Sequence, residues 1–470
     1  MSSRCIQKLS TQFVVGLLAA FTIFSGGVAT AQPLETPSPP PAVPAAPLPP
    51  AGVIPQGIAL DVSGSPYADS ASLDAQIRAA LERSIRPTLR PGAGISYGPI
   101  VPWPLFPLAP GARAAVNVTV TISGDSASAP VTGVTTVTLT NVVVPPLVPA
   151  VLFLSDDPEY IQSEGVVFRG TVTAERPARL YYYHSDLGVP RDLDVVLTAS
   201  APSRVQIVQS AAGPDLDVMS VGHTVSRDYV RYEQSNEGTV VALVPGTPFI
   251  VRHALLLQGE VVAGAAAFRV LAGAPVNVAV VAAPAGSRPE AYLAAPRVPF
   301  DGHRRHGTFD LRGFGELTQS YTVGGPPASA QYGGRSPTPR NLDPSDDGRD
   351  YGDYGIVHRI AFTLRNPTDV AQLVYLYEKP LGGPVRSSFF VDGQLKELGC
   401  VRVPQPYWIM TYQLPPQSMG GSTTITMTDG GSFYPLEVGA TDSRPLPYTP
   451  PPGSADGCSQ NVPAFPDSTR

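Results

Sequence analysis

Along most of the chain apolar and polar residues alternate one for one, in short runs bounded by Gly, Pro, Asn and Asp. Residues 115–123 and 131–144 are rich in Val and Thr and flank a turn at 124–130, which predicts two paired strands. The same period of two returns at residues 151–154, 166–173, 180–184, 193–199 and 205–209. It resumes at 238–244, 250–258, 265–271 and 276–282, at spacings that suit a β-sandwich. The stretch 180–200, LYYYHSDLGVPRDLDVVLTAS, is the centre of this set and reads as a hairpin. Leu180, Tyr182 and His184 share one face and Tyr181 and Tyr183 the other, while Leu193, Val195 and Leu197 make the second strand half buried.

Two segments break the pattern. Leu73, Ile77, Leu81 and Ile85 recur every fourth residue between a cap at Ser70 or Ser72 and the stop at Pro87, which predicts a helix. Val221, Val225, Tyr229 and Tyr232 predict another, capped by Ser220 and inserted between strands. Seven further short strands follow, at 356–366, 371–378, 388–391, 396–401, 407–414, 422–427 and 434–438. The turn NPTD at Asn366 to Asp369 brings the second of them back antiparallel. The expected fold is therefore mainly β: two tandem immunoglobulin-like β-sandwiches, one short N-terminal helix and one helix inserted in the first sandwich.

The domain boundaries follow from changes in composition. Residues 1–31 read as a signal peptide, with Arg4 and Lys8 ahead of an apolar run at 13–24 and small residues Ala29, Thr30 and Ala31 before a cleavage point at Gln32. That run is too short to span a bilayer, which takes roughly 20 residues, and no later stretch is long enough. Residues 32–57 form a proline-rich spacer and 58–150 the N-terminal helix and strands, expected to pack on the first sandwich at 151–287. Residues 288–349 read as a turn-rich linker that includes the mobile run GGPPASAQYGGRSPTPRN; within it, 309–311 and 316–323 are strand candidates for the next domain. The second sandwich takes 350–440, and a proline-rich tail takes 441–470.

Composition and charge narrow the classes. The 54 prolines are more than twice the usual share of about 5% and favour short strands over long helices. A net charge of −6, more negative once Arg4 and Lys8 are removed, and the lack of a basic stripe argue against a nucleic-acid partner. Cys400 and Cys458 are the only cysteines after the signal segment, and in an oxidising compartment they are expected to pair. That disulfide would stabilise the fold by about 4 kcal/mol in the chain-entropy model and tie the tail to the last domain.

Four stretches occur in an order that resembles a known family: DPEYIQSEGVVFRGTV at Asp157 to Val172, the tyrosine-rich strand with His184, SVGH at Ser220 to His223, and YGIVHRIAFTLRNPTD at Tyr354 to Asp369. Together they resemble exported cyanobacterial proteins catalogued as a domain of unknown function, over about residues 150–440. The resemblance implies secretion and a β-rich build, and it supplies no catalytic residues.

Candidate chemistry is sparse. In DPSDDGRDYGD, Asp343, Ser345 and Asp347 alternate and Gly348 follows, matching the first positions of a calcium loop. The twelfth position is Tyr354 and cannot give the bidentate carboxylate, so a solvated acidic linker is the expectation and calcium the alternative; no other cofactor is expected. His303 and His306 in DGHRRHG could approach one zinc ion if the segment were helical, but Gly302 and Gly307 make it a loop and two arginines disfavour a cation, so a basic surface loop is the expectation. His184, His223, His253 and His358 stand singly and read as packing or hydrogen-bonding residues. There is no H-E-x-x-H and no S-x-x-K after the signal segment. Tyr181 and Tyr183 are the best candidates for a binding face, because exposed aromatics on a sandwich stack on sugars or anchor proteins. The expectation is a secreted, periplasmic or cell-surface structural or adhesive module whose partner is an envelope or extracellular protein or glycan. A carbohydrate- or protein-binding module using exposed tyrosines is the alternative, and a hydrolase ranks third.

Overall fold

The computed structural model describes residues 47–102, 107–447 and Cys458. The signal segment, residues 32–46 of the spacer, the stretch around Trp103 and most of the tail lie outside the described residues. The fold is mainly β: two β-sandwiches and, among the described residues, two α-helices. Among the described residues no helix is long and apolar enough to cross a membrane.

The first sandwich sets an eleven-stranded sheet against a four-stranded one. Across the long sheet the order is His306–Asp310, Val151–Ser155, Ala178–Asp186, Val261–Gly273, Ser203–Asp215 and Gly238–Leu243, with Tyr160–Ile161 beside Ala178–Asp186. The sheet continues without a break into the N-terminal region, because Gly57–Ser63 pairs on one side with Gly238–Leu243 and on the other with Val131–Asn141. The short sheet runs Phe249–Leu256, Arg191–Ala199, Val276–Pro284, Gly165–Val172. Its inward residues Leu193, Val195 and Leu197 meet Leu180, Tyr182 and Phe268 of the long sheet in one apolar core.

Residues 180–200 are thus not a hairpin. The first strand lies in the long sheet and the second in the short one, so the turn arches over the edge of the sandwich. Alternation fixes which side chains face inward, and an arch satisfies it as well as a hairpin does. The arch is held by Arg191, whose Nη1 donates to both carboxylate oxygens of Asp186 at 2.9 Å.

Helix α1, Ser70–Ile85, lays Leu73, Ile77, Leu81 and Ile85 on the N-terminal strands, against Val118 and Val137 among others. Its cap is Asp69, one residue before the serines: the carboxylate accepts the Ser72 N–H at 2.7 Å. Asp69→Ala is expected to cost about 1 kcal/mol, read as a lower urea midpoint with an unchanged slope.

The second sandwich pairs a five-stranded sheet, Glu316–Thr322, Val357–Asn366, Ser418–Met427, Val385–Val391 and Gln394–Val401, with a four-stranded one, Ala328–Tyr332, Leu436–Thr441, Gln372–Pro380 and Tyr407–Leu414. The 288–349 segment is therefore more than a linker. His306–Asp310 adds to the first sandwich by pairing with Val151–Ser155, and not to the second. Glu316–Thr322 and Ala328–Tyr332 join the second. The latter hides among glycines and prolines, yet it buries Ala330 and Tyr332. A disulfide joins Cys400, on the edge strand Gln394–Val401, to Cys458 with Cα atoms 5.3 Å apart.

Helix α2, Val218–Gln234, packs on the long sheet of the first sandwich and against the second. Asp217 caps it, accepting the Ser220 N–H at 3.2 Å; Ser220 is the donor and not the cap. Gly222 is required here, since a Cβ at that position would come 1.9 Å from the Gly430 carbonyl oxygen of the second sandwich. The inserted helix is the joint between the two sandwiches.

Candidate functional site

Tyr181 and Tyr183 do not form a binding face. They are 1% and 7% exposed, packed in the seam with Val225 and Tyr229 of α2 and with Phe390 and Met427 of the second sandwich. Their strand is buried on both faces: Tyr182 turns into the first core while Tyr181 stacks on Tyr354 at a centroid distance of 6.0 Å.

Three polar side chains are paired across the seam. Arg179 donates from Nε to the Tyr229 hydroxyl at 2.8 Å, from Nη1 to the Gly355 carbonyl at 2.8 Å, and from Nη2 to Glu233. Arg386, fully buried in the second sandwich, donates to Ser220 Oγ at 2.6 Å and lies 3.3 Å from the Asp217 cap. His223 is 2.7 Å from Asp429 through Nδ1 and 3.0 Å from Glu397 through Nε2. Burial alone would lower the imidazolium's pKa, but the two carboxylates outweigh it and hold it up at about 9. Elsewhere burial pushes carboxyls up, Asp156 to about 8 despite its Arg305 partner and Glu378 to about 8 despite the Ser387 hydroxyl that bonds it.

One serine and histidine are adjacent, Ser155 Oγ and His184 Nε2 at 2.9 Å. Both are fully buried, His184 Nδ1 is bonded to the Pro158 carbonyl where a triad would have a carboxylate, and burial lowers the imidazole to about 4. The arrangement is a satisfied pair in the core.

One surface depression lies between two edge strands of the second sandwich, a groove of about 360 Å³ lined by Leu395, Lys396, Glu397, Trp408 and Ile409. The Trp408 indole N–H donates to Thr411 Oγ1 at 2.7 Å, which orients the ring. Glu397 is fixed from behind by His223, whose N–H holds its carboxyl below the ordinary value. The groove thus combines an oriented aromatic, an ammonium and one ionised carboxylate. Glycoside hydrolysis takes a pair of carboxyl groups, whereas Glu397 is the only one in this lining. A second depression on the short sheet of the first sandwich has Arg169 as its charged residue, and that guanidinium donates to the Leu293 carbonyl.

The acidic stretch takes a different shape from a calcium loop. Asp343 Oδ1 accepts the Ser345 N–H at 2.9 Å and its hydroxyl at 2.6 Å, so these two face each other, while Asp347 turns toward Arg304 and His306. Asp343, Ser345 and Asp347 are not gathered as ligands. His306 is not in a surface loop either: it is 1% exposed, with Nδ1 3.1 Å from Asp157 and Nε2 2.8 Å from Asp346. His303 bonds Asp301 at 2.7 Å. The carboxylates that meet His306 are 40 or more positions away in sequence, so spacing could not reveal them; the paired Asp346 and Asp347 were the only hint. Trp408, one of two tryptophans, was the available signal for the groove.

The chain matches no protein-family model and no curated protein. Among solved structures it is similar to a tandem of CBM22 domains from Paenibacillus barcinonensis Xyn10C, at 10% identity and a TM-score of 0.13 over 79% of this chain and 88% of that one. Lac15 from a marine microbial metagenome is 11% identical, with a TM-score of 0.13 over 70% and 74%. The PBSX exported protein XepA is 9% identical, with a TM-score of 0.15 over 59% and 86%.

Proposed function

We propose that the chain is an exported, envelope-associated structural or adhesive module that works without catalysis. One observation carries this reading. The space between the two sandwiches, where a two-domain protein commonly keeps its ligand cleft, is filled by Tyr181, Tyr183, Tyr229, Phe390 and Met427 and crossed by the Arg179, Arg386 and His223 pairings. A joint so filled resists bending and makes the pair one rigid body. The resemblance to exported cyanobacterial proteins and the leader at residues 1–31 support a periplasmic or cell-surface location.

A second reading, glycan binding, is favoured by the groove at Trp408. An oriented indole beside Lys396 and Glu397 offers a stacking surface and charged hydrogen-bonding groups for a sugar. Fractionation of cells that make the full chain, followed by affinity electrophoresis of the purified protein on envelope polysaccharides, tests both. The chain is expected in the envelope or the medium with its leader removed. Trp408→Ala is expected to weaken any polysaccharide retardation at least tenfold while leaving location unchanged. A full-length cytoplasmic product overturns the first reading, and equal retardation of wild type and variant overturns the second.

A further inference from the structure

We propose that His306, Asp346 and Asp347 form a binding site for a divalent transition-metal ion, best suited to zinc. Each residue offers one ligand atom, and the three atoms lie within 4.8 Å of one another. His306 Nε2 stands 2.8 Å from Asp346 Oδ1 and 3.8 Å from Asp347 Oδ1. Zinc bonds of about 2.0–2.1 Å at tetrahedral angles separate ligand atoms by about 3.3 Å, between those two distances. A small closing movement of Asp347, which is 65% exposed, completes the set.

A second feature points to a ligand independently of the carboxylates. His306 is buried, and its Nε2 has no hydrogen-bond partner although Asp346 Oδ1 is so near. The other ring nitrogen explains the tautomer. Asp157 accepts the Asp301 and Arg304 N–H groups at 2.8 Å each, so its carboxylate is fixed, and its Oδ2 lies 3.1 Å from Nδ1. In the tautomer with its proton on Nδ1 toward Asp157, the ring offers Nε2 as a ligand on the side of Asp346 and Asp347, where a cation would offset the gathered negative charge. A carboxylate that orients a histidine in this way is the usual outer support of a histidine-ligated metal.

The loop is shaped to hold the set. Asn341 Nδ2 donates to the Asp346 and Gly348 carbonyls at 3.3 and 3.2 Å, and the Gly348 N–H donates to Asp346 Oδ1 at 2.9 Å. Gly348 lies so close to the backbone of His306 that a Cβ would sit 1.8 Å from the His306 carbonyl oxygen. Arg304 Nε, 3.3 Å away, takes the outer oxygen of Asp347 and leaves Oδ1 for the ion. One imidazole and two carboxylates suit zinc in preference to calcium, which takes oxygen ligands in larger number. Because His306 belongs to the first sandwich and the loop runs between strands of the second, the ion would clip one to the other.

The test uses the untagged full chain after chelator treatment. Calorimetry with zinc chloride is expected to give one equivalent bound at micromolar or tighter Kd, and Co2+ is expected to give a visible ligand-field band. Asp347→Asn, at an exposed position, should fold normally and weaken zinc at least tenfold; His306→Gln should abolish the cobalt band. Millimolar Ca2+ should not displace zinc. Zinc that binds without stoichiometry, binds Asp347→Asn and Asp346→Asn as tightly as wild type, or is displaced by Ca2+ would overturn the site.

Discussion

Replacing Arg179 by methionine is expected to lower the unfolding free energy by about 3–5 kcal/mol, read from urea denaturation. The guanidinium is buried beside Glu233, itself buried, and it also satisfies Tyr229 and the carbonyl of Gly355. Methionine fills much of the volume but leaves the buried carboxylate with only the half-exposed Arg359 guanidinium, 3.9 Å from its other oxygen, and the cost comes chiefly from that poorly compensated charge. The double variant Arg179→Met with Glu233→Met should therefore recover part of the loss, since removing both members of a buried pair is often close to neutral. Because Arg179 lies on the long sheet of the first sandwich and Gly355 leads into the second, the variant should also separate the two sandwiches' transitions when near-UV and far-UV signals are compared. A cost under about 1 kcal/mol, or a double variant no more stable than the single, would show that the pairing does not hold the seam.

The sequence made the strands and helices legible because each had to satisfy one local period. Val116, Val118 and Val120 alternate into the core and Leu73 to Ile85 form a stripe, and both are buried as their spacing requires. What spacing cannot carry is the partner. Leu193 faces inward whether its strand returns as a hairpin or arches to the opposite sheet, so the sheet it joins was not readable. Tyr181 and Tyr183 look like surface aromatics because alternation places them opposite a core face, and only the docking of α2 and the second sandwich buries that side too. The strand Ala328–Tyr332 was masked by its glycine and proline neighbours, and its pairing with Leu436–Thr441 lies more than 100 residues away. The candidate site was least legible, since Asp157, His306 and Asp346 come from three separate loops or strand ends.

Stability is expected to fall as pH rises from 6.5 to 9. Burial pushes Glu378 and Asp156 up to about 8, and the balance of burial against Asp429 and Glu397 leaves His223 at about 9. All three folded values exceed those of the unfolded chain, near 4.5 for Glu, 3.8 for Asp and 6.5 for His. The folded state therefore binds more protons than the unfolded state across this window. The stabilisation from these groups is complete below the unfolded values and is lost as pH climbs through the folded ones, at about 1.4 kcal/mol per pH unit for each group that differs by a full proton. Below pH 6.5 the slope weakens, because burial holds His184 at about 4 and His358 at about 3, and these neutral rings favour the folded state only while the unfolded histidines are also neutral. Glu378→Gln separates this account from a general alkaline effect. The amide keeps an oxygen for the Ser387 hydroxyl, 2.7 Å from the present carboxylate, but cannot ionise. Thermal melts of this variant should lose about one proton's worth of slope between pH 6.5 and 8 and exceed wild type at pH 9; a slope equal to wild type would mean that Glu378 is already ionised in the folded protein.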